Sequence, residues 1–151
     1  INLSDPIMRF ERQLLEVIVQ VPAASDRAVV LRICKSGFSA PAHIAVANAI
    51  EAAVDLVGKH EFLPTLAAAV PQELYSVLLE IAGQTLPARD EAGLVVYAQG
   101  VIERGLKAIL AREKTELLAA LRREEPASEA HKAIGKKLQD LEAERRALGD
   151  G

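Results

Sequence analysis

Aromatic residues and cysteine are scarce in this 151-residue sequence, which has three Phe, two Tyr, no Trp and one cysteine, Cys34. A single cysteine excludes a disulfide framework and favours a reducing compartment. No apolar run reaches the roughly 18 residues that a membrane-spanning helix requires, and no signal peptide is visible. We therefore expect a cytoplasmic protein without a membrane partner.

The sequence also lacks the usual marks of catalysis. His43, His60, His131 and Cys34 are scattered, without the helical or knuckle spacing that metal ligands need. There is no glycine-rich phosphate loop, no nucleophile elbow and no pair of carboxylates facing each other on a helix. We expect no catalytic residue, no metal and no cofactor in this chain. The net charge of -3 provides no general attraction for nucleic acid, so direct nucleic-acid binding is not expected either.

Alanine and leucine are abundant, with 26 and 20 copies, and this composition favours an all-α fold of close-packed helices. Caps, prolines and apolar periodicity predict five short helices in an N-terminal bundle, residues 1–88. The first starts at Asp5-Pro6 and ends at Pro22, and the second lies between Ser25 or Asp26 and Gly37. The other three are predicted over residues 41–57, 61–69 and 71–82.

The last third, residues 89–151, predicts one long helix, a break at Pro126 and a return helix capped by Ser128. The return helix places Ile134, Leu138, Leu141 and Leu148 at heptad-like spacing, opposite leucines of the long helix. This seam is short and poor in apolar residues. We therefore expect the helical hairpin to complete its burial against another protein.

Some single residues have structural interpretations. The sequence predicts that Cys34 is an inert core residue and that His43 lies at the surface or at the core boundary. Phe38, one of few large side chains, is expected to fill the core. Three glycines of the long helix are expected to permit close helix packing: Gly93, Gly100 and Gly105.

Three stretches together resemble a known family: ERQLLEVIVQVP (11–22), GFSAPAHIAVANAI (37–50) and LQDLEAERRAL (138–148). They are similar, in order and at plausible distances, to the C-terminal helicase-binding domain of bacterial DNA primases of the DnaG type. The matching residues are Glu11, Arg12, Leu14, Leu15, Gln20, Pro22, Gly37, Phe38, Pro41, Leu138, Leu141, Arg145, Arg146 and Leu148. The sequence departs from the family at Glu16, where lysine is common, and at Ala40, where histidine is common.

The resemblance implies a non-catalytic interaction domain whose hairpin docks on the N-terminal domains of the hexameric replicative helicase. It implies that zinc-binding and polymerase domains precede this chain in a DNA primase, which is a nucleotidyltransferase acting at the replication fork. A first residue other than methionine agrees with the expectation that this chain is a fragment. Single-strand-binding protein is a further candidate partner. The expected partner-binding residues are Leu138, Leu141, Glu142, Arg145, Arg146, Leu148, Arg122 and Arg123.

Two other functions are compatible with the sequence. One is the small-molecule-binding helical domain of a transcription regulator, with His43, Asn48 and Tyr75 as candidate polar groups of a pocket. The other is the N-terminal domain of the helicase itself, which would be expected to assemble into rings.

Overall fold

The computed structural model of the chain describes residues 1–149. Over this range the regular structure consists of seven α-helices and three 3-10 turns, without a strand, which confirms the all-α prediction. The helices are α1 (Pro6–Gln20), α2 (Arg27–Ser36), α3 (Pro41–Ala52), α4 (Phe62–Ala69), α5 (Tyr75–Gly83), α6 (Glu91–Arg122) and α7 (Glu129–Ala147), and the 3-10 turns are Pro22–Ala24, Val54–Leu56 and Gln72–Leu74.

Short polar side chains start four of the helices. Oxygens of Asp5, Asp26, Asp90 and Ser128 accept hydrogen bonds from backbone N–H groups two or three residues later, at 2.7 to 3.1 Å. Each bond pairs a donor that the first turn of a helix leaves without an intrahelical partner. The predicted starts of α1, α2, α6 and α7 are therefore confirmed within a residue or two.

The third predicted helix is shorter than expected. We predicted that it continues to Val57, but α3 ends at Ala52 and a 3-10 turn follows. The N–H of Ala53 is shared between the carbonyl oxygens of Ala49 and Ile50, which tightens the last turn. Val54 thereby turns inward and is 7% exposed, and Gly58, at φ 86°, allows the chain to leave the turn in another direction.

The chain forms two compact units, Ile1–Gly105 and Leu106–Gly151. In the first, α1 packs against α3 and α5, α2 against α3, and α4 against α3 and α5. Its fully buried apolar side chains come from all five short helices: Leu14, Leu15, Val17, Ile18, Val30, Ile33, Val46, Ile50, Leu66, Leu78 and Ile81.

The N-terminal part of α6 belongs to the first unit. Ala98 and Val101 are fully buried, and Gly105 lies so close to α1 that a Cβ atom there would be 2.6 Å from Leu14 Cδ2. Of the three glycines expected to allow close packing, Gly105 does so against a neighbouring helix. The division into units therefore falls inside α6, whereas the domain boundary that we drew from sequence, between residues 88 and 89, lies in the turn before it.

The expectation that Phe38 fills the core is wrong. Its side chain is half-buried and meets the ring of His43 edge-on, with the ring centroids 6.4 Å apart. Phe62, at the start of α4, is 4% exposed and is the phenylalanine that packs in the core. The prediction for Cys34 is confirmed as to position, since the residue is buried and unpaired, and burial raises the pKa of its thiol to about 12.

Candidate protein-interaction site

The second unit is a helical hairpin made by the C-terminal part of α6 and by α7. Lys114 on α6 contacts Glu142 on α7, so the two helices run antiparallel across the turn that follows Arg122. The turn contains Pro126 and Ala127, whose φ of 66° is left-handed. The predicted break at Pro126 and the predicted return helix are both present.

The apolar seam of this hairpin is incompletely covered. Helix α7 has no buried residue, and Ile134, Leu138, Leu141 and Leu148 are all half-buried. On α6, Leu118 is 36% exposed. A leucine that remains half-exposed gains only part of the about 1.5 to 3 kcal/mol available from full burial. The hairpin therefore presents apolar area that a partner could cover.

Three charged residues form a cluster across the two helices. Lys114 Nζ lies 3.0 Å from Glu142 Oε1, and Arg145 Nη2 lies 3.2 Å from Glu142 Oε2. These donors, Lys114 first and then Arg145, hold the pKa of the Glu142 carboxyl below its ordinary value. Glu142 thus pairs with one cation on each helix of the hairpin.

A groove of about 580 Å³ runs between the helices beside this cluster. Most of its lining surface is apolar, and charged side chains from both helices contribute to the lining. The lining residues are Lys107, Leu110, Ala111, Lys114, Leu141, Glu142, Arg145 and Gly149.

The structure brings only some of the predicted binding residues together. Leu141, Glu142 and Arg145 share the groove. Arg122 ends α6 and Arg123 follows it, so both are exposed at the turn end of the hairpin, away from Glu142. Arg146 is exposed on α7 and is absent from the groove lining.

Sequence reasoning missed the contribution of α6 to the groove. Lys107, Leu110 and Lys114 line the groove from α6 but are not among the predicted binding residues. Their spacing of three and four was visible in the sequence. What was missing is the register of the antiparallel pair, which puts Lys114 opposite Glu142.

A second polar cluster lies in the core of the first unit and corrects the prediction for His43. This residue is fully buried, and its Nδ1 lies 3.0 Å from Glu11 Oε1. Arg12 Nε donates a hydrogen bond to His43 Nε2 at 3.2 Å, so Nε2 is the unprotonated ring nitrogen. The N–H of the ring is therefore on Nδ1 and donates to Glu11 Oε1. The expected surface or boundary position is wrong because α1 supplies partners for both ring nitrogens.

Glu11 also holds the loop before α3 in place by hydrogen bonds. It accepts hydrogen bonds from the backbone N–H and the hydroxyl of Ser39 and from the N–H of Ala40. Burial opposes ionisation, but these bonds and the one from His43 outweigh it and lower the pKa of Glu11. Arg12 reaches Glu80 on α5 at 3.2 Å.

Gln20 likewise forms hydrogen bonds that hold the end of α5 against α1. Its side-chain amide donates to the carbonyl oxygens of Ile81 and Gln84, at 2.8 and 2.9 Å. Glu11, Arg12 and Gln20, which carry the sequence resemblance in α1, therefore hold the bundle together and do not line the groove.

The three candidate polar groups for the pocket of a transcription regulator differ in their surroundings. His43 is fully buried among Glu11 and Arg12, while Asn48 and Tyr75 are exposed on α3 and α5. Within residues 1–149, no group of three or more His, Cys, Asp and Glu side chains is placed to hold a metal ion. None of the helices described combines the length and apolar character needed to cross a membrane.

Comparison with known proteins identifies a solved structure with a similar fold. The sequence matches neither a protein-family model nor a curated protein. Among solved structures, it is similar to the helicase binding domain of primase from Mycobacterium tuberculosis, with a TM-score of 0.71 and 24% sequence identity. The match covers 93% of this chain and 89% of that chain. This chain therefore has the fold of that domain over nearly its whole length.

Proposed function

We propose that this domain docks on the N-terminal domains of the replicative helicase and so couples primer synthesis by a bacterial DNA primase to DNA unwinding. The observation that carries the proposal is the fold, which matches a primase helicase-binding domain over 93% of the chain. The described residues add a physical reason for a partner. The hairpin keeps a row of half-exposed leucines, and α7 contains no buried residue.

The predicted binding residues divide into two roles in this proposal. Leu138, Leu141 and Leu148 supply apolar area at the centre of the contact, and covering each one contributes up to about 2 kcal/mol. The exposed arginines at positions 122, 123, 145 and 146 lie at the rim, where charge affects the association rate more than the affinity. Glu142 orients Arg145 and Lys114.

The test is titration calorimetry with the N-terminal domain of the helicase from the same cell. The double substitution L141D/L148D is expected to reduce affinity at least about a hundredfold, because two apolar contacts are replaced by charges that lose hydration. A matched control is L79D/V96D, which changes two residues of the first unit that are 50% and 70% exposed. This control should bind like the wild type.

Two results would contradict the proposal: wild-type binding by L141D/L148D with helicity preserved in circular dichroism, or no binding by the wild type. A pull-down of the chain with and without residues 127–151 gives an independent measurement, and the truncated chain should not retain the helicase. Single-strand-binding protein, the second partner that the sequence resemblance implies, can be assayed on the same immobilised domain.

A further inference from the structure

Glu16 on α1 is a buried carboxylate without a paired cation. The residue is 8% exposed, and among the described residues its side chain forms neither a hydrogen bond nor an ion pair. Every fully buried side-chain oxygen or nitrogen of residues 1–149 has a hydrogen-bond partner, so the carboxylate oxygens of Glu16 must reach the surface. The side chain is therefore a recessed negative charge that a group from outside can contact.

The arginines of the adjoining helices are directed elsewhere. Arg12 lies one turn before Glu16, at the i, i+4 spacing at which opposite charges on a helix can pair. Its guanidinium instead donates to His43 and to a carboxylate of α5. Arg104 on α6 has its guanidinium over the ring of Phe10, 5.9 Å from the centroid. The described residues therefore provide no cation for the Glu16 carboxylate.

The electrostatics of α1 and α6 agree with an uncompensated charge. Burial raises the pKa of Glu16, and the positive charge of Arg12 offsets this only in part. Burial, and after it the negative charge of Glu16, raises the pKa of Tyr97 on α6, so this half-buried side chain lies near the carboxylate. A buried carboxylate without a partner costs stability at neutral pH, and a cation from outside would offset that cost.

A basic side chain is the group that fits at Glu16. Within residues 1–149, no group of three or more His, Cys, Asp and Glu side chains is placed to hold a metal ion. A lysine or arginine side chain needs only one carboxylate, and its apolar stem or guanidinium plane can pack on the ring of Tyr97. Residues 1–105 have eight Lys or Arg and twelve Asp or Glu, so this unit attracts a basic surface.

We propose that Glu16 and Tyr97 form a recess that receives one lysine or arginine side chain of the partner, which pairs with the Glu16 carboxylate. The recess belongs to the first unit and adds a second contact to that of the hairpin leucines. This inference rests on the proposed function, since the helicase N-terminal domain is taken to supply the cation. Glu16 then favours binding at a cost in the stability of the free chain.

The test compares Glu16→Gln with Glu73→Gln in the whole chain. Each substitution removes one negative charge from the first unit, but Glu73 is exposed. At pH 7.5, Glu16→Gln should raise the melting temperature by roughly 2 to 4 °C, because glutamine has no charge to desolvate. In titration calorimetry with the helicase N-terminal domain, the same variant should lose at least about tenfold in affinity. Glu73→Gln should change the affinity less than about threefold and leave the melting temperature within about 2 °C of the wild type.

The outcomes separate the two proposals. Loss of affinity in Glu16→Gln alone, with a melting temperature no lower than that of the wild type, supports the inference. If Glu16→Gln binds like the wild type while L141D/L148D abolishes binding, the inference fails but the proposed function stands. A lower melting temperature of Glu16→Gln shows that a cation of the chain, such as Arg104, already pairs with Glu16, and it overturns the inference. Equal losses of affinity in both variants show a general charge attraction and also overturn it. If the wild type does not bind the helicase, both proposals fall.

Discussion

At the scale of single residues, the least expected feature is a charged cluster in the core of the bundle. Glu11, Arg12 and His43 are at most 7% exposed, and every polar side-chain atom of the cluster that is fully buried has a hydrogen-bond partner. Such clusters tolerate burial only when the pairing is complete, because an unpaired buried group costs about 1 to 3 kcal/mol. His43 can satisfy both neighbours only as a neutral ring, since a proton on Nε2 would oppose the N–H of Arg12.

This geometry predicts a loss of stability in mild acid. Burial, and after it the charge of Arg12, lowers the pKa of His43 below its ordinary 6.5, although the bond to Glu11 acts in the opposite direction. As pH falls below 6.5, the unfolded chain binds a proton at this residue that the folded chain does not. The free energy of unfolding should therefore decrease by up to about 1.4 kcal/mol per pH unit until the folded-state pKa is reached. Urea denaturation at intervals between pH 7.5 and 5 measures this change in the free energy of unfolding.

The matched variants are His43→Gln and His60→Gln. Glutamine can accept from Arg12 and donate to Glu11 without titrating, so His43→Gln should flatten the pH dependence in this range. His60 is exposed, and its replacement should leave the wild-type dependence in place. An unchanged slope in His43→Gln would show that this histidine is not the group responsible.

At the scale of elements, the position of α6 in the first unit depends on close packing at one glycine. Gly105 has Leu14 Cδ2 at 2.6 Å from the place of a Cβ atom and Cδ1 at 3.3 Å. Beside it, the guanidinium of Arg104 lies over the ring of Phe10, 5.9 Å from its centroid. In contrast, an added Cβ at Gly135 of α7 would meet no atom within 4 Å.

The two glycines should respond oppositely to the same substitution. Gly105→Ala forces Leu14 to move, and overpacking of this kind costs about 1 to 3 kcal/mol, more than the helix propensity that alanine returns. Gly135→Ala should instead stabilise α7 by up to about 1 kcal/mol. Thermal denaturation measures the destabilisation by Gly105→Ala, and amide hydrogen exchange in α7 measures the stabilisation by Gly135→Ala. Stabilisation of both variants would mean that α1 and α6 pack less closely than described.

At the scale of the whole molecule, the two compact units differ in how much core they contain. The first unit has fully buried side chains from each of its short helices, whereas in the second the buried residues, Ile109 and Leu110, both lie on α6 and α7 has none. Hydrophobic burial is the main favourable contribution to folding, and a helix of α7's length is marginal in water without packing. The second unit therefore depends more on covering by a partner.

This difference predicts the behaviour of the separated parts. A fragment of residues 1–105 should unfold cooperatively with heat, and a fragment of residues 106–151 should be only partly helical and melt gradually. Circular dichroism of both fragments at equal concentration measures the contrast, and addition of helicase N-terminal domain should increase the helicity of the second. Cooperative melting of residues 106–151 alone would contradict this account.

The sequence by itself determined the helices and most of their limits. Caps at Asp5, Asp26, Asp90 and Ser128 and the break at Pro126 act on backbone groups within a few residues, so they can be recognised without a fold. The same local signals predicted the hairpin and its sparse seam. They failed at the end of α3, where an inward turn of Val54 outweighed the helical periodicity.

Only the tertiary structure decided which polar residues are buried and which cations share a groove. Glu11 and His43 are 32 residues apart, and Lys114 and Glu142 are 28 apart, so no local pattern indicates that they meet. The close approach at Gly105 likewise requires Leu14 of another helix. Burial and pairing depend on what faces a side chain across the fold, whereas helix formation depends mainly on its neighbours in the chain.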